Sequence, residues 1–211
     1  MKYWLALFLS ILGVHLAQAG VYDDIIFAAQ QGHTEDVAAL LQRGMDVDTA
    51  DRDGTSLLMF AARDGHTRTL ETILRYRPNL LKVNKYGDNA MALAALNGHL
   101  ATVRQLAEAG APIEALLANS WGPLAYAAFN GHETVVNFLL DRGAQVNRAS
   151  PNQQTPLMLA ARNGHLAVVK LLLTHGANTA LQDDQGQTAL DIALKANNTD
   201  IAEVIRRLDR P

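Results

Sequence analysis

The stretch Thr155-Pro156-Leu157-Met158-Leu159-Ala160-Ala161-Arg162-Asn163-Gly164-His165 holds the plan of the whole chain. It opens on a residue type that accepts a backbone N–H at a helix N-terminus, and a proline follows where the missing N–H costs nothing. Two successive alanines let a second helix approach closely, and the glycine suits a left-handed turn that ends the first one. The closing pair recurs: Gly-His stands at 32–33, 65–66, 98–99, 131–132 and 164–165, each 33 residues after the last. A fixed period of about 20–50 residues marks an array whose units stack to bury their apolar faces.

The same register carries the rest of the unit. Nine residues before each glycine stand Ser56, Asn89, Gly122 and Thr155, with Asp23 in front and Thr188 behind, all N-capping types. The alanine pairs are 28–29, 61–62, 94–95, 127–128 and 160–161, and the last unit has Ala193-Leu194. Past the histidine, apolar residues fall at i, i+3 and i+4: Val37, Leu40, Leu41; Leu70, Ile73, Leu74; Val136, Leu139, Leu140; Val169, Leu172, Leu173. Such a stripe predicts a second, amphipathic helix. Gly44, Gly110, Gly143 and Gly176 close it, and polar connectors follow, such as Asp51-Arg52-Asp53-Gly54 and Asp183-Asp184-Gln185-Gly186.

A helix, tight turn, helix and hairpin-like connector at this period resembles the ankyrin repeat. Thr-Pro-Leu survives whole at Thr155-Pro156-Leu157 and in part at Thr188-Ala189-Leu190, Ser56-Leu57-Leu58 and Pro123-Leu124. The resemblance covers residues 20–211 and implies an all-α repeat solenoid of stacked helix-turn-helix units with hairpin connectors. Six repeats are expected, at about 20–50, 51–83, 84–116, 117–149, 150–182 and 183–211. Departures are local. The family's His after Thr-Pro-Leu is replaced by Met59, Ala92, Ala125, Met158 and Asp191; Arg77-Pro78 stands where Gly is expected; Ser120 and Gln153 replace connector glycines. In the last unit Asn197-Asn198 replaces Gly-His, and Glu203, Arg206, Arg207 and Asp209 give its final helix the polar outer face an end unit needs.

Residues 1–19 stand apart from the array. Lys2, the apolar run Leu5 to Leu16 and Ala17-Gln18-Ala19 predict a secretory signal peptide cut after Ala19. Up to that cut the uncharged stretch is the 17 residues Tyr3 to Ala19, short of the roughly 20 that span a bilayer. No membrane association is expected after cleavage. The chain has no Cys, hence no disulfides and no lipid attachment through an N-terminal Cys. The resemblance, joined to an export signal, implies a bacterial exported protein, with the periplasm expected and full secretion the alternative. With Lys2 set aside, 17 basic residues face 21 acidic ones, a net charge of −4. No Lys/Arg block exists to neutralise phosphates, which disfavours nucleic acid as a partner.

Catalytic and metal-binding patterns fail one by one. Equivalent histidines in adjacent units stand about 8–10 Å apart if the helices stack, too far to share a zinc ion at about 2.0–2.1 Å. Their expected role is to hydrogen-bond backbone groups at the turn between helices. His175 falls near a helix C-terminus, where a partly protonated ring is favourable. The acidic run Asp46, Asp48, Asp51, Asp53 lacks the bidentate Glu of a calcium loop, because Phe60 stands six residues past Gly54. The three serines of the array, Ser56, Ser120 and Ser150, lie outside any Gly-x-Ser-x-Gly, and no Gly-rich phosphate loop occurs. The expectation is a non-enzyme without metal or cofactor.

If the frame explains what recurs, binding belongs to what varies. The resemblance places connector tips and the residues after the alanine pairs on a concave side. The expected protein-binding residues are Arg52, Arg63, Lys85, Tyr86, Asp88, Asn119, Trp121, Phe129, Asn152 and Arg162. Tyr86, Trp121 and Phe129, from consecutive units, are expected to form one apolar patch flanked by Lys85, Arg63 and Arg162, since aromatic and Arg side chains dominate interface energies. For Trp121 the alternative is packing of an irregular connector, and for Phe129 the joint between two units. Tyr126 is excluded as a contact, because its register matches Phe60, Leu93 and Leu159, all expected core positions. The leading function is a monomeric periplasmic scaffold that supports or protects a partner protein. The alternatives are an immunity-type antagonist of a toxin and an exported effector.

Overall fold

The computed structural model describes residues 20–114 and 121–208, so the expected signal segment, Asn119 and Ser120 lie outside the described residues. Every described unit is a pair of antiparallel helices. They run α1 (residues 20–31), α2 (Thr34–Gln42), α3 (Leu57–Arg63), α4 (Thr67–Arg75), α5 (Ala90–Leu96), α6 (Leu100–Glu108), α7 (Pro123–Phe129), α8 (Glu133–Asp141), α9 (Pro156–Arg162), α10 (Leu166–Thr174), α11 (Ala189–Lys195) and α12 (Thr199–Leu208). No strand forms among the described residues. The connectors are turns, with one isolated antiparallel bridge between Ala50 and Ser56.

Capping chemistry starts the short helices where the register predicts. Ser56, Asn89, Thr155 and Thr188 each accept the backbone N–H three residues on, and Pro123 and Pro156 open α7 and α9. The residues that replace the family's His complete some of these caps. The sulfurs of Met59 and Met158 accept from the N–H of Ser56 and Thr155, and the Asp191 carboxylate does the same for Thr188. Asp23 is a correction. It lies inside α1, which begins at or before residue 20, so it caps nothing in the way its register suggested.

The solenoid has two layers. α3, α5, α7, α9 and α11 pack in sequence as one, and α2, α4, α6, α8, α10 and α12 as the other. The alanine pairs are buried without remainder from Ala61 to Ala161, which is what lets successive short helices touch. Leu194, where the last pair is broken, is exposed. The stripes point inward: Val37, Leu70, Ile73, Val103, Leu106, Val136, Leu139, Val169 and Leu172 are all fully buried. Each such side chain contributes roughly 1.5–3 kcal/mol of transfer free energy, so the core is a continuous seam built in equal instalments.

The Gly-His pair joins one unit to the next. Each of these glycines has φ between +72 and +78, and the N–H of the following His closes the turn onto an alanine carbonyl five residues back, as His66 does to Ala61 at 2.9 Å. The imidazole then reaches into the preceding unit. The Nε2 atoms of His66, His132 and His165 hydrogen-bond the carbonyls of Gln30, Leu96 and Phe129 at 2.9–3.0 Å, donating in the tautomer that carries hydrogen on Nε2. The rings of His66, His99, His132 and His165 each lie against the Gly of the preceding unit's Gly-His pair, where an added Cβ would stand 2.5–2.8 Å from Nδ1. In the last unit Asn198 takes over, donating to the Ala161 and Arg162 carbonyls. The expected backbone partner was therefore right in kind, but it belongs to the neighbouring unit.

The missing glycines leave their mark as strain. Arg77, Gln153 and Asn197 stand where the repeat calls for Gly, and all three hold left-handed backbone, with φ of 55, 57 and 62. A side chain there costs roughly 1–2 kcal/mol. The backbone keeps the repeat geometry regardless of the residue.

Candidate functional site

One face of the solenoid is drawn by three rows of residues, each advancing by 33. The connector row reads Thr55, Asp88, Trp121, Gln154, Gln187; the second row, along the short helices, reads Phe60, Leu93, Tyr126, Leu159, Ile192; the third, at their C-terminal ends, reads Arg63, Leu96, Phe129, Arg162, Lys195. Side-chain contacts knit the rows together. The Trp121 ring lies 5.4 Å from both Tyr126 and Phe129, the latter edge-on. Arg162 donates to the Gln154 side chain at 3.3 Å, and the Arg63 guanidinium sits 5.1 Å over the Phe60 ring. Connectors and short helices thus present a single inner face.

Turn chemistry holds the connectors in place. At the first turn position of the four described connectors, a short polar side chain accepts two backbone N–H groups or one: Asp51 from Asp53 and Thr55, Asn84 from Tyr86 and Asp88, Ser150 from Gln154, Asp183 from Gln185 and Gln187. Adjacent tips are also tied to each other. The Lys85 N–H donates to the Asp53 carbonyl and its ammonium to the Asp53 carboxylate, both at 2.8 Å, while the Asp184 N–H donates to the Asn152 carbonyl. The acidic run is used up in these bonds: Asp48 accepts from the Asn79 N–H and Asp46 from that of Asp48. Among the described residues no group of three His, Asp or Glu side chains is placed to hold a metal ion.

Placement divides the expected contact residues. Tyr86 is 64% exposed, its ring under the Lys85 ammonium at 4.9 Å. Arg52, Asn152 and Arg162 are exposed; Arg63 is half-buried and forms a two-bond pair with Asp64 that raises its pKa. Lys85 is likewise held charged, by Asp53 first and Tyr86 second. Trp121 and Phe129 are half-buried and meet as one aromatic group, whereas the ring contact of Tyr86 is with Lys85, so the expected three-ring patch centres on Trp121 and Phe129 instead. Asn119 is outside the described residues.

Two expectations are corrected. Asp88 is turned inward, 7% exposed, and cannot meet a partner as a rim charge; its carboxylate accepts the Tyr126 hydroxyl at 2.7 Å. Tyr126 in turn is only half-buried and belongs to the aromatic group, unlike its row mates Phe60, Leu93 and Leu159. Burial, and then the bond to Asp88, push its phenol pKa well above the ordinary value. The missed signal was legible. Tyr126 is the one polar-tipped side chain in an apolar row, and a tyrosine hydroxyl at a packed position finds a partner. Gln154 is buried against Arg162, and Lys195, in the same row as Arg162, was missed for want of reading the rows sideways.

The model for ankyrin repeats (three copies) matches residues 25–116, 58–150 and 124–209, which together take in almost every described residue. The chain belongs to the ankyrin repeat family. No curated protein sequence matches it. Among solved structures, the ankyrin fold recurs in the complex titled as the predatory endopeptidase Bd0816 from Bdellovibrio bacteriovorus with the immunity protein Bd3460. The matching chain is 30% identical, with a TM-score of 0.78 over 87% of this chain and 97% of that one. Ankyrin repeats bind other proteins, and the residues of the connector row and of the helix-end row change from unit to unit. No helix among the described residues is long and apolar enough to cross a membrane.

Proposed function

We propose that this ankyrin array is a non-enzymatic antagonist that occludes an endopeptidase through its inner face, as an immunity protein does, after export to the periplasm. The observation that carries the reading is the likeness to the solved immunity complex, which runs over nearly the whole of both chains. The face supports it physically. The half-buried Trp121, Tyr126 and Phe129 rings sit near the middle of the array, where anchor residues at interfaces concentrate, with polar connector tips around them. Export rests on residues 1–19. A scaffold that supports a partner enzyme uses the same face and is the second reading.

The test is functional. The protein is recovered from the periplasmic fraction, its N-terminus sequenced, and its co-purifying partner assayed with and without it. Cleavage after Ala19 and one-to-one inhibition of a peptidase support the proposal. A partner enzyme whose activity is unchanged or raised by binding favours the scaffold, and retention of the chain in the cytoplasm defeats both.

A further inference from the structure

The inner face is polarised along its length. At the N-terminal end a hollow is lined by Tyr22, Phe27, Arg52 and three carboxylates, Asp23, Asp51 and Asp53, of which Asp53 is paired with Lys85 and Asp51 closes its own turn. At the other end a second hollow between the connectors and short helices of the last two units is lined by Arg162 and Lys195 with Asn152, Gln154, Gln185 and Gln187, and no carboxylate lines it. The aromatic group stands between them.

The basic end is organised beyond the mere presence of two cations. Arg63 and Arg162 share one row, yet the next residue differs: Asp64 neutralises Arg63 in a two-bond pair, whereas Asn163 follows Arg162 and spends its amide on the Phe129 carbonyl at 2.6 Å. Ala196 follows Lys195. Arg162 is held instead by the buried, neutral Gln154, which fixes the guanidinium without cancelling its charge. Of the acids nearby, Asp184 is exposed at the connector tip and does not line the hollow, and two others are bound elsewhere. Asp183 is buried and accepts the N–H groups of Gln185 and Gln187, and Asp191 is bound to Thr188, which lowers its pKa. A guanidinium, an ammonium and side-chain amides all present N–H donors, the set that recognises a carboxylate.

We infer that the hollow at Arg162 and Lys195 receives an acidic segment of the partner protein, whose neighbouring apolar side chain rests on Trp121 and Phe129. The inference rests on the proposed inner-face binding and adds to it the partner's charge and its direction along the array. The acidic segment faces the last two repeats.

Random peptides displayed on phage are selected against the immobilised protein, and the enriched peptides are titrated by calorimetry against the wild type, the Arg162→Glu/Lys195→Glu double variant and Trp121→Ala, each checked by circular dichroism. Enriched peptides rich in Asp or Glu, with affinity reduced about tenfold or more by the double variant and falling as salt rises from about 0.05 to 0.5 M, are the expected result. Peptides lacking acidic residues, no enrichment, or acidic peptides indifferent to the double variant overturn the inference. Peptides sensitive to Trp121→Ala but not to charge reversal leave the inner-face reading standing and remove only its polarity. Peptides indifferent to both bind elsewhere and remove the inner-face reading as well.

Discussion

The Tyr126 hydroxyl donates a 2.7 Å hydrogen bond to the Asp88 carboxylate, 38 residues earlier and one repeat step away. The bond ties a short helix to the connector of the preceding unit, and it is the bonded side-chain partner of a buried carboxylate. Tyr126→Phe therefore leaves Asp88 buried without its donor, at a cost of roughly 1–3 kcal/mol. Urea unfolding monitored by circular dichroism measures it. A loss below a few tenths of a kcal/mol means that water or a rearranged connector satisfies Asp88.

The same pair sets an alkaline limit. Because the folded phenol pKa is raised above the unfolded value of about 10, the native state keeps its proton where the unfolded chain has lost it. Stability is thus fully present below about pH 10 and declines as pH climbs above it. The midpoint of urea unfolding is expected to fall between pH 9 and pH 11, and Tyr126→Phe to remove part of that slope. Absorbance at 295 nm offers an independent check: the chain has five tyrosines, and one phenolate should appear only as the fold is lost. Equal slopes in both proteins would assign the alkaline loss to other groups.

The contact between Gly131 and His165 separates two roles that glycine plays here. A Cβ on Gly131 would meet the His165 ring at 2.5 Å, while one on Gly143 meets nothing within 4 Å, although φ is +75 and +87 respectively. Gly143→Ala then reports the backbone cost alone, about 1–2 kcal/mol. Gly131→Ala adds the loss of the seat for the imidazole and its bond to Phe129, raising the total to about 3 kcal/mol or more. Similar unfolding midpoints for the two variants would show that the ring swings aside freely.

The frame was legible because it is local chemistry repeated. A cap, a small pair, a turn glycine and a stripe each leave a residue type at a fixed register, and Pro123, Pro156 and the buried alanines occupy the places that register gives them. What escaped was contact between units. That His165 lies against Gly131, or that Tyr126 finds Asp88, depends on the rise and rotation between neighbours, which no single repeat encodes. Asp88 looked like a rim charge because its connector is polar, but the turn closed by Asn84 points it inward. Asp23 looked like a cap only because the register was carried past the point where its helix begins.

Gln153 occupies the left-handed position of its connector with φ of 57 and its side chain in solvent. Gln153→Gly relieves the strain, while the greater freedom of glycine in the unfolded chain offsets part of the gain. The net expectation is a stabilisation of about 0.5–1 kcal/mol, read as a raised midpoint in urea. A destabilised variant would mean that the Gln153 side chain makes a contact worth more than the strain.

Tyr86 and Trp121 are expected to part company when truncated. Tyr86 is 64% exposed at a connector tip whose geometry is kept by Asn84 and by the Lys85–Asp53 pair, so Tyr86→Ala should leave stability within about 0.5 kcal/mol of wild type. Trp121 packs on both Tyr126 and Phe129, and Trp121→Ala should cost about 1–3 kcal/mol as well as weakening partner binding. Affinity for the co-purified partner, measured by calorimetry beside thermal melts, distinguishes the two effects. If the inner face is the binding surface, Phe129→Ala and Trp121→Ala weaken binding by at least tenfold at a temperature where both remain folded. Undiminished affinity in folded Trp121→Ala would confine the aromatic group to packing its connector and move the binding surface to another part of the array.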